Sequence, residues 1–366
     1  VWHEYCHVVT LELTRHRIPR WLSEGISVYE ERQADRTWGN RLSRQTRQMI
    51  LDGELTPVSH LNEAFRNSRS PAHFNLAYYE ASLVVEFLVE RFGHQTLRDV
   101  LSDVAGGMPI NMSLARRTGS LEKFDDEFDA FARKTATAFG PEVDWSDEIA
   151  PPKAEASSDE IAAWVKEHPK HYLGRVRLAQ ALLRERKPDE AATVLERLIN
   201  DVPDWSGDDS PYALLAKVRR EQDDAAAEQR VLEDLADRSD DALSAYRRLM
   251  ELASAADDTS ALAKNFERYI AVQPLEEWPY RQVAESATDR TVDKDKLPIA
   301  VGAARALIAL GPVDKSGAHF LLARLLQKQQ SPEAKRQALM ALEETPRFRA
   351  AQRLLLEIVD DQERKP

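Results

Sequence analysis

Apolar residues recur every three to four positions along most of this chain, which is the spacing of one buried helix face. No stretch carries a convincing strand alternation. A first helix is expected from Val1 to about Leu13. Pro19 reads as a first-turn proline that opens a second helix running to about Gln33. A third helix is expected over Arg41–Leu51, and the polar, turn-rich stretch Gly53–Pro71 reads as a long loop with room for one short helix. Ala77–Phe92 is a long amphipathic helix stopped by Gly93. Thr96–Val104 and Leu121–Phe139 complete the N-terminal set.

Between Gly140 and Ser158 the composition changes. Gly-Pro, Pro-Pro and Ser-Ser pairs with few large apolar residues mark a linker. Beyond it the chain repeats a pattern of helix, polar break, second helix and, often, proline. The second helices are expected at Asp189–Ile199, Ala225–Ala236, Ser260–Ala271, Pro298–Leu310 and Pro332–Leu342. Prolines follow at Pro203, Pro274, Pro312 and Pro346. Their spacing, the first interval spanning two units, lies near the roughly 34-residue tetratricopeptide period. The run Leu178-Ala179-Gln180-Ala181-Leu182-Leu183, followed by Pro188-Asp189-Glu190-Ala191, looks like one such repeat. The expected organisation is mainly α: an N-terminal domain over 1–139, a linker over 140–157 and a tetratricopeptide-like α-solenoid over 158–366.

Hydrophobic residues make up 43% and charged ones 31%, a composition that can bury a core and carry a charged surface. The formal net charge of -12 disfavours nucleic acid as the main partner, since a phosphate backbone is gripped by a basic surface. No apolar run approaches the roughly 18–20 residues of a membrane helix. The longest candidate, Leu83–Val89, contains Glu86. Cys6 is the single cysteine, so no intrachain disulfide framework exists.

The chemistry concentrates in His3-Glu4-Tyr5-Cys6-His7. Residues four apart share a helix face, so the imidazoles of His3 and His7 can bind one metal ion. Glu4 sits about 100° round from His3, badly placed to share the metal but able to reach a water bound to it. Zinc lowers the pKa of such a water toward about 7, and a carboxylate can take its proton. A catalytic zinc takes three protein ligands and leaves one position open. Glu24, in Trp21-Leu22-Ser23-Glu24-Gly25 on the next helix, is the candidate third ligand, and Gly25 beside it would allow close approach.

The run from His3 to Glu31, with Pro19-Arg20-Trp21-Leu22-Ser23-Glu24-Gly25 and Tyr29-Glu30-Glu31, resembles the peptidase MA-like, gluzincin-type metallopeptidase domains, especially bacterial ones fused to tetratricopeptide repeats. The resemblance covers about the first 95 residues well. It implies a helical zincin-type catalytic core, zinc as cofactor, His3, His7 and Glu24 as metal ligands and Glu4 as general base. It also implies a tyrosine donating to the tetrahedral oxyanion. Aligning Ser82-Leu83-Val84 with the family's apolar run puts Tyr78 there, with Tyr79 as fallback. Such peptidases hold extended substrate on an edge strand upstream of the zinc helix. This chain starts two residues before its motif, so it is expected to be a fragment that is weak or inactive by itself. Any export signal would lie upstream of residue 1, so the sequence leaves the compartment open, an extracytoplasmic bacterial setting being one option.

Other residues invite plainer readings. Cys6 lies about 60° from His3 and is expected to pack as a small apolar residue. Glu31, seven residues beyond Glu24 and on its face, could orient a ligand histidine, although a surface salt bridge is the plainer expectation. His73 precedes the tyrosine helix in the expected loop. The expected function is peptide-bond hydrolysis, with a peptide or protein substrate and a protein partner for the repeats. The competing reading is a non-catalytic binding scaffold with a vestigial metal site.

Overall fold

The computed structural model describes residues 2–146, 149–207, 210–288 and 297–363, and among them every extended regular element is helical. Val1 and positions 147–148 of the expected linker lie outside the described residues. The chain divides into two compact units, Val1–Trp205 and Ser206–Pro366.

The first unit holds α1 (Trp2–Leu13), α2 (Arg20–Ala34), α3 (Arg44–Leu51), α4 (Leu61–Arg66), α5 (Pro71–Phe92), α6 (His94–Ala105), α7 (Ile110–Thr118), α8 (Leu121–Ala138), α9 (Ser158–Glu167), α10 (Tyr172–Arg184) and α11 (Pro188–Asp201). Its organising element is α5, which is apolar nearly all round, as a central helix must be. Leu76, Ala77, Tyr79, Ala81, Leu83, Val84, Val85, Phe87, Leu88 and Val89 are buried. Phe87 meets Phe92, Phe124, Phe128 and Phe131 in an aromatic cluster that binds α8 to α5, with ring centroids 5.2–6.2 Å apart.

Helix α2 packs along α5. Gly25 makes this possible. A Cβ there would stand 2.5 Å from the carbonyl oxygen of Ala81 and 3.1 Å from Val85 Cγ2. The obstacle is backbone, which cannot rotate aside. Trp21, Leu22, Ile26, Val28 and Tyr29 fill the same side of α2.

Helix α1 returns onto α2 through a turn made without glycine. Arg15 and His16 both take positive φ, 53° and 59°, a conformation that costs non-glycine residues roughly 1–2 kcal/mol. The His16 amide donates to the Leu11 carbonyl at 2.8 Å, closing the helix end. The α1–α2 seam is small and polar: Thr10, Thr14, Ser23 and Ser27 are buried, and Thr10 Oγ1 lies 3.3 Å from Ser23 Oγ. The outward face of α1 carries Trp2, Tyr5, Val8, Val9 and Leu13, all exposed.

In the first unit α3 starts at Arg44 rather than Arg41, and two larger departures from expectation stand out. Helix α5 begins at Pro71 rather than Ala77: the Ser70 hydroxyl caps it by accepting from the His73 amide, and Pro71 occupies its first turn. His73 therefore sits on the helix and not in a loop. Helix α7 has no counterpart among the expected elements; it buries just Ser113 and Leu114, too few positions to set a periodic pattern. Within the expected linker, Trp145 is buried and stacks on Tyr172 at 4.7 Å and Phe139 at 5.5 Å.

The second unit holds α12 (Pro211–Glu221), α13 (Ala225–Ala236), α14 (Leu243–Ala255), α15 (Thr259–Val272), α16 (Glu277–Ser286), α17 (Leu297–Ala309), α18 (Lys315–Lys328), α19 (Glu333–Glu344) and α20 (Arg349–Glu363). Each helix packs on the next, and α14, α16, α18 and α20 also touch in series. That is the stacking of an α-solenoid, in which every unit buries its face against its neighbour. Buried alanines such as Ala216, Ala245, Ala253, Ala284, Ala304, Ala318 and Ala338 let the helices approach. Glu228 on α13 ties three helices together. It is buried, accepts from Arg220 Nε at 2.7 Å, and binds Arg248 through both oxygens at 2.8 and 2.9 Å. Burial alone would raise its pKa; Arg248 and Arg220 outweigh burial and hold the carboxyl below its ordinary value.

Gly25→Ala is expected to destabilise the first unit by about 1–3 kcal/mol, read as a lower denaturant midpoint. Glu228→Ala is expected to cost roughly 1–3 kcal/mol by stranding Arg248. Because the Glu228 pKa is depressed on folding, its contribution is complete above the unfolded value of about 4.3 and fades as pH falls through the folded one. Thermal melts of wild type and variant should therefore converge in acid.

Candidate metal centre

Three of the expected site residues converge. Nε2 of His3 lies 3.4 Å from Glu24 Oε2, and Nε2 of His7 lies 3.3 Å from the same oxygen. The three donor atoms all fall within 4.8 Å of one another. Donors held about 2.0–2.2 Å from one tetrahedral zinc stand roughly 3.3–3.5 Å apart. The two nitrogen–oxygen separations match edges of such a tetrahedron. The side chains of His3, His7 and Glu24 are 23%, 22% and 12% exposed, so the cluster is sheltered yet reachable from solvent.

The local fold explains the convergence. Positions 3 and 7 share a face of α1, the turn at Arg15–His16 reverses the chain, and Gly25 seats α2 so that Glu24 faces α1. The imidazole rings stand nearly edge to face, 4.7 Å between centroids.

Each histidine is also held from behind. His3 Nδ1 lies 3.1 Å from Glu31 Oε2, and His7 Nδ1 lies 2.8 Å from Ser23 Oγ and 3.3 Å from Ser27 Oγ. In a metal-bound site each Nδ1–H would be donated to these oxygens, which leaves both Nε2 lone pairs for the ion. This is the usual arrangement behind metal-binding histidines. The geometry gives Glu31 the orienting position weighed from the sequence. Ser23 and Ser27 are absent from the sequence-based candidates; a serine beside a candidate ligand carries no sequence signal of its own.

Charge fits a cation as well. Hydrogen bonds to Glu24 first and Glu31 second push His3 up to about 9, with burial opposing. Burial alone would raise the Glu24 carboxyl, but the His3 hydrogen bond and the nearby His7 and Arg20 hold it below its ordinary value. Two nitrogens and one carboxylate oxygen are a suitable donor set for zinc.

The remaining candidates take different places. Glu4 is exposed on α1. Tyr78, half-buried on α5, puts its hydroxyl 3.3 Å from Glu24 Oε1. Tyr79 points into the core, where burial pushes its phenol up to about 12. Cys6 is half-buried, its thiol raised first by burial and then by Glu30 and Glu31, and it stands outside the donor cluster. His73 pairs with Glu54 at 2.9 Å, away from the cluster.

Metal-depleted protein titrated with zinc should bind about one ion per chain, with binding lost in the His3→Ala/His7→Ala double variant, as measured by elemental analysis after dialysis. Glu31→Gln should weaken affinity by roughly 10–100-fold in competition with a chromogenic chelator, since it removes the carboxylate behind His3.

Residues 1–132 match the family model of the Peptidase MA superfamily. No curated protein matches the sequence. Among solved structures, one similar chain is that of YrrB, described as a TPR protein with an unusual peptide-binding site. It has 11% identity and a TM-score of 0.41, covering 55% of this chain and 98% of that one. The stretch that brings His3, His7, Glu24 and Tyr78 together is therefore a Peptidase MA superfamily domain by its sequence match, over residues 1–132.

Proposed function

We propose that the N-terminal domain is the catalytic core of a zinc-dependent metallopeptidase in which His3, His7 and Glu24 hold the metal and Glu4 is the general base. The observation that carries this reading is one Glu24 oxygen at tetrahedral-edge separations from two imidazole nitrogens, the three donors within 4.8 Å of one another and each histidine braced by an outer oxygen. It lies within a stretch that matches a peptidase superfamily.

Zinc bound there supplies a Lewis acid and makes a neighbouring water acidic near neutral pH. The chain's own residues do the rest. Glu4 follows His3 on α1, about 100° round the helix, and is exposed, so its carboxylate is free to take a proton from the attacking water. The same carboxyl then returns that proton to the leaving amine. Tyr78 is a neutral donor at the rim, suited to turn toward the oxyanion as the carbonyl becomes tetrahedral.

The division proposed from the sequence, with a catalytic region over 1–139, a linker over 140–157 and repeats from 158, gives the array a separate role in binding protein. One feature of the array supports that role. A cleft of about 390 Å³ between α12, α13 and α14 is lined by Lys217, Arg220, Arg247 and Arg248, with Glu251 among them. Arg220 and Arg248 there are paired with Glu228 and Arg247 with Glu276, so what the cleft offers a partner segment is a recess with Lys217 at its wall rather than a surplus of positive charge. The array would then recruit substrate, or, in the scaffold reading, bind a partner while the metal site cleaves nothing.

Glu4→Gln separates these readings. In a peptidase-competent form of the protein it should lower kcat by roughly 10²–10⁴ while leaving zinc content unchanged. Wild-type peptidase activity in that variant would refute the base assignment.

A further inference from the structure

A carboxylate has two oxygens, and in Glu24 they are treated differently. Oε2 faces both imidazoles, while Oε1 is taken by other groups of this chain. Tyr78 donates its hydroxyl to Oε1 at 3.3 Å, and Arg20 Nε donates to it at 3.4 Å. Arg20 Nη2 in turn donates to the Tyr78 oxygen at 3.3 Å, so that the phenol proton is directed onto Glu24.

This arrangement is built into the fold at several points. Arg20 lies four residues before Glu24 in the first turns of α2, which puts both on one face. Its guanidinium lies over the Phe65 ring, 5.4 Å from the centroid, and 6.0 Å from that of Phe74. Both rings also meet the Tyr78 ring edge-on, at 5.1 and 5.2 Å. Helices α4 and α5 thus supply an aromatic seat that holds the cation and the phenol together beside one oxygen of a metal ligand.

Resting on the metal-site reading above, we infer that Arg20 and Tyr78 are positioning residues that occupy Glu24 Oε1 and so restrict Glu24 to binding metal through Oε2 alone. The consequence is chemical. Two imidazoles and a one-oxygen carboxylate leave a position open for water. A carboxylate free to use both oxygens would close on that position. Arg20 thereby explains why a cation stands beside a cation site: it holds the oxygen that must stay off the metal. The role belongs to the resting site and precedes any use of Tyr78 during turnover.

The test uses the full chain loaded with cobalt(II), whose visible absorption is strong when four-coordinate and much weaker when coordination rises. Wild type, Tyr78→Phe and Tyr78→Phe/Arg20→Met are compared. Tyr78→Phe keeps the ring packing and deletes one hydroxyl; the second change removes the remaining donor to Oε1. The visible bands should weaken in the single variant and weaken further in the double, while the helical melt of the metal-free proteins stays unchanged. Tyr78→Phe/Arg20→Lys, which keeps a cation beside Oε1, should give bands between those of the single variant and the Arg20→Met double. A double-variant spectrum superimposable on wild type would overturn the clamp while leaving the metal site intact. Wild-type protein that takes up no cobalt would overturn the metal site itself, and the clamp with it.

Discussion

Everything at the candidate metal centre depends on how closely α2 lies against α5. Three side chains from two helices can meet at one point if the helix that carries Glu24 is fixed in depth and rotation. Gly25, one residue along, sets that depth by allowing the Ala81 carbonyl to come where a Cβ would otherwise stand. The buried Trp21, Leu22 and Ile26 set the rotation. Helix α1 then needs to do little more than lie across a seam of hydroxyls, and Thr10, Ser23 and Ser27 give it a close, hydrogen-bonded bed. The precision of the site comes from α5 outward, although no donor of the cluster resides on α5.

The sequence discloses the donors because their geometry is local. Positions 3 and 7 share a helix face whatever the rest of the chain does, and Glu24 needs one reversal of direction to reach them. Gly25 beside the ligand is a readable sign of close approach. Glu31 is half-readable: its seven-residue spacing places it on the face of Glu24, but the partner it finds requires the packed pair of helices. The Arg20–Tyr78 contact is not readable, because the two lie 58 residues apart and nothing in either neighbourhood names the other. What brings them together is the aromatic seat of Phe65 and Phe74, which exists only once α4 is folded onto α5.

The helical architecture is legible in the same uneven way. In the second unit, α13 coincides with its expected bounds, and α15, α17 and α19 fall within two residues of theirs. Small and large apolar residues recur there at a fixed period, so each helix is signalled more than once. In the stretch before the repeats the signals are single. Ser70-Pro71 punctuates a polar stretch and reads as loop, yet a serine cap followed by a first-turn proline is also how a helix begins. The choice between these depends on His73, Leu76 and the residues after them finding an interior to face, which the first unit's core provides.

The proposed chemistry requires His3, His7 and Glu24 to close on a single metal ion with one position left for solvent. Anomalous diffraction at the zinc edge from crystals of the zinc-loaded chain tests it most directly. One dominant peak is expected about 2.0–2.2 Å from Nε2 of His3, Nε2 of His7 and Oε2 of Glu24, with no further protein donor at that distance. A peak that leaves Glu24 uncoordinated, or metal bound elsewhere with these three side chains empty, would contradict it.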